Sequence, residues 1–302
     1  VSYRIEPAKP LTGEVTRIAR IQYARAIEVL RDQPDGRDQA IHDARKRFKK
    51  LRGLFRLIRS AAPGFCAREN AQVRDIAATL SSVRDATALV EVLERLIESE
   101  ATAENHDALF SVRARLVERR DRMAAEEAGL EEAIAAAIAA CEAGMAALGD
   151  LSLPDKPGKA GRTLARGFAQ TYGRALTACA TAAETGAAAD WHELRKRIKY
   201  HRMHVELMRK AWPGQMGLRA EVADLAGEAL GDDHDLANLE ALIAEDTGAL
   251  GNAAEIATLR TCMAARSAAL HAQVRAILKN LLMDDRKVVQ SRIATLWRDA
   301  AR

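Results

Sequence analysis

Two stretches of this 302-residue chain share a pattern of histidine, basic residues and Pro-Gly, 150 positions apart. AIHDARKRFKKLRGLFRLIRSAAPG at 40–64 aligns without a gap to DWHELRKRIKYHRMHVELMRKAWPG at 190–214. His42 pairs with His192, Arg45 with Arg195, Lys46 with Lys196 and Arg47 with Arg197. Lys49, Arg52 and Arg59 pair with Lys199, Arg202 and Arg209, and Pro63-Gly64 with Pro213-Gly214. The register continues through Leu80, Asp85 and Leu89, which match Leu230, Asp235 and Leu239. Upstream, Arg17, Tyr23 and Arg25 match Arg166, Tyr172 and Arg174 at an offset of 149. A repeat this long restricts the chain to folds built from two similar units, and a site on the repeated segments occurs twice, or once across the symmetry axis.

The repeated unit is helical. The seven prolines punctuate the chain at its turns, in RDQPDGRD, SAAPGF, LSLPDKPGKAG and KAWPGQ and ahead of the first periodic segment. Proline is costly inside a helix, so these positions mark boundaries. Between them apolar residues recur with a 3.6-residue period and no segment alternates like a strand. Aromatic residues are only 4% of the chain while Ala, Leu, Arg and Glu abound, which favours helices over sheets. The expected helices are 11–31, 38–60, 66–99 and 104–148, then 161–183, 190–210, 215–246 and 252–280, with a short helix near 284–300. The Gly- and Pro-rich stretch 149–160 divides them. The expected fold is all-α: two four-helix bundles related by an internal pseudo-two-fold repeat, residues 1–150 and 151–302.

Charge is concentrated on the repeated segments. Residues 42–59 hold eight Lys/Arg against Asp43, a net +7, and residues 192–209 hold six against Glu193 and Glu206, a net +4. The whole chain carries +4, so everything else sums to 4 − 11 = −7. On a helical wheel Arg45, Lys49, Arg52, Arg56 and Arg59 share one arc beside an apolar arc of Phe48, Leu51, Leu54, Phe55 and Ile58. The second copy repeats the arrangement with Arg195, Lys199, Arg202 and Arg209, interrupted by Glu206 where the first copy has Arg56. Each row is roughly 25 Å long at about 1.5 Å per residue. Like charges at i,i+3 and i,i+4 repel, and a long, dense, featureless anion offsets that repulsion. Arginine forks suit phosphate oxygens. A solvated basic face is the alternative for any single row; two matched rows weigh against it.

His42 and His192 are expected in the first turns of their helices, either fixing the helix entry through a local bond or donating to phosphate at a helix N-terminus. Asp85 and Asp235 are expected to orient a basic or His side chain of the preceding helix. The acids are too scattered to gather a catalytic metal, and neither a Walker A nor a GxSxG sequence occurs. No metal or cofactor is expected. The cysteines Cys66, Cys141, Cys179 and Cys262 lie far apart and read as reduced, buried apolar residues. The opening VSYRIEPAKPLTG lacks a signal-peptide pattern, no apolar run long enough to span a membrane is expected, and the cytoplasm is the expected location.

The doubled H-x-x-R-K-R-x-K-x-x-R, at 42–52 and 192–202, resembles the conserved histidine α-helical domain family, CHAD, over about Leu11 to Leu282. The resemblance implies two helical bundles with a basic surface or channel that binds inorganic polyphosphate, and association with polyphosphate granules. The binding positions it implies are His42, Arg45, Lys46, Lys49, Arg52 and Arg56, with His192, Arg195, Lys196, Lys199 and Arg202. Arg17, Arg20 and Arg166 on the preceding helices are further candidates. The ExExK strand of the triphosphate-tunnel domain, a frequent companion in this family, is absent from the chain, so that activity is not expected. A binding protein and not an enzyme is the expectation. Sequence-independent nucleic-acid binding, a metal-dependent phosphohydrolase and an adaptor for an acidic protein are the rivals.

Overall fold

The computed structural model describes residues 3–80, 82–125, 129–245 and 248–302, with the side chains of 82–86 and 124–125 outside the description. The described residues form α-helices and two short 3-10 turns. α1 spans Leu11–Asp32, α2 Arg37–Ile58, α3 Pro63–Thr79, α4 Ser82–Glu100, α5 His106–Ala125 and α6 Leu130–Ala147. After the turn Leu148–Asp150 come α7 (Pro157–Thr185), α8 (Ala188–Leu207), α9 (Pro213–Glu245), α10 (Ala253–Leu281) and α11 (Arg286–Ala300).

The prolines stand at helix ends as the sequence requires. Pro63 and Pro157 open α3 and α7, where a missing N–H costs nothing, and Pro10 immediately precedes α1. α10 begins with a reciprocal capping box between Asn252 and Glu255. α7 ends at Gly186, whose φ of 65° is a conformation glycine enters without steric cost.

Two expected helices are each a pair. The segment expected at 66–99 is α3 plus α4, and that at 104–148 is α5 plus α6, which begins after Gly129 at φ 87°. The homologous second-half segment is one unbroken 33-residue helix, α9. Packing also crosses the halves. α1, α2, α3 and α6 lie together, as do α7, α8, α11 and the start of α9, while α4 and α5 of the first half pack on α9 and α10 of the second. One continuous cluster of buried side chains runs through both halves. One expectation needs correcting: Leu130–Asp150, with a mean hydropathy of 1.4, is long and apolar enough to cross a membrane by composition. In this fold that helix, α6, packs against α1 and α3 through Leu130, Ile134, Ala137, Cys141 and Gly144.

α2 is gripped on two sides. α8 crosses it at Gly53, where a Cβ would meet Met203 Sδ at 2.8 Å, and the buried His204 donates from Nε2 to the Gly53 carbonyl at 3.0 Å. α7 approaches at Gly167, where a Cβ would stand 1.9 Å from the backbone oxygen of Leu57. A flexible thioether can yield, but a helix backbone cannot without moving the helix. Gly167→Ala is therefore expected to destabilise the protein by about 1–3 kcal/mol, measured by denaturant unfolding. An unchanged midpoint would mean that α2 and α7 are not in close contact.

Candidate anion-binding site

The crossing at Gly53 brings the two basic rows together. Lys49 on α2 lies within electrostatic reach of Arg195 and of Lys199 on α8, and all three sense Asp235 on α9. Lys49 and Lys199 are both pushed down to about 8. The first cause is loss of water around each ammonium, although Lys49 keeps an exposed flank. The second is like charge from Arg45 and Arg195.

Carboxylates do little to neutralise α2. Lys46 pairs with Asp43 at 3.0 Å. Among the described residues Arg47, Lys49, Lys50, Arg52, Arg56 and Arg59 have no carboxylate within salt-bridge distance, and Nε of Arg47, Arg52 and Arg56 is buried without a hydrogen-bond partner. Burying an unsatisfied guanidinium N–H is costly, so such groups call for an acceptor. α8 is more compensated: Lys196 pairs with Glu193 at 2.6 Å, Arg197 also pairs with Glu193, and Arg202 with Asp224 at 2.6 Å. Arg195 and Lys199 remain without a carboxylate at that range, and Arg195 Nε is buried and unpartnered.

The repeated arginines at the head of the rows behave differently, and the broken helix explains why. Arg45 donates to the carbonyls of Ala77 and Leu80 at 3.2 and 3.1 Å. These carbonyls are freed where α3 stops. In the second half α9 continues through the matching positions, its carbonyls stay in the helix ladder, and Arg195 is left beside Lys49 and Lys199. Arg45 thus holds a helix end, whereas Arg195 faces the shared basic cluster.

Several expected roles change. His42 and His192 are the sixth and fifth residues of α2 and α8, so neither reaches the exposed N–H groups of its helix N-terminus. His192 Nδ1 lies 2.9 Å from His234 Nδ1, one ring donating to the other. Burial and the surrounding cations push His192 down and His234 to about 3, so both are neutral at pH 7. His42 Nδ1 is buried without a partner. Asp235 takes its ion pair from Arg95 of α4 at 3.3 Å, not from a residue of α8, and burial raises its pKa against the pull of Arg195 and Arg95. The side chain of Asp85 lies outside the described residues. Arg17 is committed to the buried Glu14 at 2.8 Å and to the carbonyl of Arg4. Arg20 and Arg166 are exposed on α1 and α7 and make no hydrogen bond or ion pair with either row among the described residues.

Glu206 interrupts the second row as the sequence indicates, held by Arg4 at 2.7 Å and Arg209 at 3.2 Å. Arg95, Arg174 and Arg197 also lie near the rows, although the sequence did not single them out as binding positions. Arg174 carried a signal, since the repeat pairs it with Arg25; Arg95 carried none, because its approach depends on how α4 packs against α9. Among the described residues no three His, Cys, Asp or Glu side chains stand where they could hold a metal ion. His201 lies between the rings of Phe168 and Tyr172, and His204 is spent on Gly53.

A family model described as the CHAD domain matches residues 16–244. Among solved structures, PptA from Streptomyces chartreusis superposes with a TM-score of 0.62 at 20% identity, over 91% of this chain and 100% of PptA. That likeness is one of fold. No curated protein matches the chain. With the family model spanning most of its length and both His-led basic helices, the chain belongs to the CHAD family.

Proposed function

We propose that this protein binds inorganic polyphosphate along the joined basic rows of α2 and α8, without a catalytic step. The observation that carries the reading is the run of α2 cations left without carboxylates beside Arg195 and Lys199. A solvated basic helix would spread its charge and pair it; here buried guanidinium N–H groups lack acceptors, and phosphate oxygens supply them. The two halves act as a pseudo-two-fold pair, residues 1–150 and 151–302, each lending one helix to a single charged track or channel. His42, Arg52, Arg56, Lys49, Arg195 and Lys199 form the centre of that track, with Lys46, Lys196 and Arg202 at its edges. Arg45 and Asp235 shape it. The protein works in the cytoplasm at polyphosphate granules on this reading.

Aromatic chemistry argues against reading nucleic-acid bases. Phe48 is buried, and the Arg56 guanidinium lies over one face of Tyr200 at 4.3 Å, so the rows offer little aromatic surface for stacking.

Titration with labelled long-chain polyphosphate at several salt concentrations tests the reading. Wild type should bind tightly and lose affinity by roughly 10³-fold or more between 50 and 200 mM salt. Lys49→Glu/Lys199→Glu should abolish most of that binding. These positions are preferred to Arg45, which holds the end of α3. Weak binding, or binding that the charge reversal leaves intact, would make the rows solvated faces.

A pH dependence follows from the same two lysines. A bound polyanion restores their charge, so binding near pH 8 should take up protons. Affinity should be nearly level below pH 7 and fall as pH rises through 8, as the free protein loses these charges. Calorimetry in two buffers of different ionisation enthalpy reads the proton uptake directly. Affinity independent of pH between 7 and 9.5 would contradict it.

A further inference from the structure

Beyond the Lys49–Lys199 cluster lies a second basic group that the repeat does not duplicate. Arg56 and Arg59 at the end of α2, Arg174 of α7 and Arg197 of α8 line one pocket with Tyr200, Gln170 and Thr171. Arg56 lies over the Tyr200 ring, and its Nε is buried without a partner. Glu193, bound to Arg197 and Lys196, is the acid within electrostatic reach. Burial, then Arg197, Arg56 and Arg59, lower the pKa of Arg174.

The equivalent place in the other half is closed. The repeat puts Arg25, Arg47, Lys50, Glu206 and Arg209 where this pocket has Arg174, Arg197, Tyr200, Arg56 and Arg59. There Glu206 is bonded by Arg4 and Arg209. The segment 3–6 also lies across it: Tyr3 donates to the Lys50 carbonyl at 2.7 Å, the amide of Ile5 donates to the Leu207 carbonyl at 2.9 Å, and Glu6 pairs with Lys210. On that flank Glu206 stands in place of Arg56 and the segment 3–6 lies over the helices, whereas the other flank keeps four guanidinium groups around a pocket.

We infer that the Arg56–Arg59–Arg174–Arg197 pocket receives the terminal phosphoryl group of a polyphosphate chain, which gives the bound chain a defined end. The inference rests on the polyphosphate reading above. An internal phosphoryl of the chain carries one negative charge, whereas a terminal phosphate monoester-like group carries about −1.5 to −2 at pH 7 and three acceptor oxygens. Guanidinium forks converging from three helices match that denser, three-sided acceptor better than a linear track does. Gln170 and Thr171 add neutral hydrogen-bonding groups at the wall.

The test compares a short linear polyphosphate of fixed length, free-ended, with the same chain blocked at both ends as phosphoramidates. Titrations run at 0.15 M salt, where the Debye length of about 8 Å confines each charge to its neighbourhood. Wild type should prefer the free-ended chain by about tenfold, the effect of one charge-assisted hydrogen bond. Arg174→Gln changes one exposed side chain of α7, outside both rows. It should erase the preference while leaving blocked-chain affinity nearly unchanged. Equal affinity of wild type for the two chains, or a variant that weakens both by the same factor, would overturn end recognition and leave the pocket as ordinary track. Failure of wild type to bind either chain would instead overturn the polyphosphate reading itself.

Discussion

The close crossing of α2 and α8 is the constraint on which the rest depends. Glycine at position 53 lets Met203 approach, and His204 fixes the approach with a bond to the Gly53 carbonyl. Each helix alone is a basic row with self-repulsion of a few tenths of a kcal/mol per neighbouring pair. Pressed together, the rows crowd Lys49, Lys199 and Arg195 into one volume with Asp235 as the nearest acid. His204 is buried and held near pKa 4, so it stays neutral and adds no charge at the crossing. Packing energy from a core shared by both halves therefore sustains an electrostatically unfavourable surface. A protein keeps such a surface at the expense of stability, a cost that the polyanion proposed above would offset.

The repeat is not a copy at the level of the site. Where the first-half helix breaks after Thr79, Arg45 is drawn to the freed carbonyls; where α9 runs on, Arg195 is released to the cluster. Where the first copy has Arg56, the second has Glu206, already tied to Arg4 and Arg209. Both differences act the same way. They leave Arg195 free beside Lys49 and Lys199 and keep four guanidinium groups around the Arg56 pocket, whereas the other flank carries an acid in that place. Duplication supplied the two helices, and local changes in a helix end and one side chain decided which cations remained available.

Much of this was legible in the sequence because it rests on period and punctuation. Proline positions, the 3.6-residue apolar pattern and the repeat register located the helices and put Lys49, Lys199 and Arg195 on matching faces. The break inside 66–99 was not legible, since 80–82 reads Leu-Ser-Ser without proline or glycine and the homologous segment continues as helix. Contacts across the halves were also hidden: Arg95 reaching Asp232 and Asp235, and His192 meeting His234, depend on how α4 and α8 pack against α9. Nor does the sequence reveal the charge state of the histidine at the head of the second row. Burial among cations holds His192 and His234 neutral.

The most direct measurement is thermal unfolding of wild type and Lys49→Gln/Lys199→Gln, each with and without long-chain polyphosphate. Removing both ammonium groups relieves several repulsive pairs, so the variant alone should melt about 2–4 °C higher than wild type. Polyphosphate should raise the wild-type melting temperature strongly and the variant's much less. A variant that melts at or below the wild-type temperature, yet gains as much from polyphosphate, would contradict the account that these crowded charges are maintained for an anion.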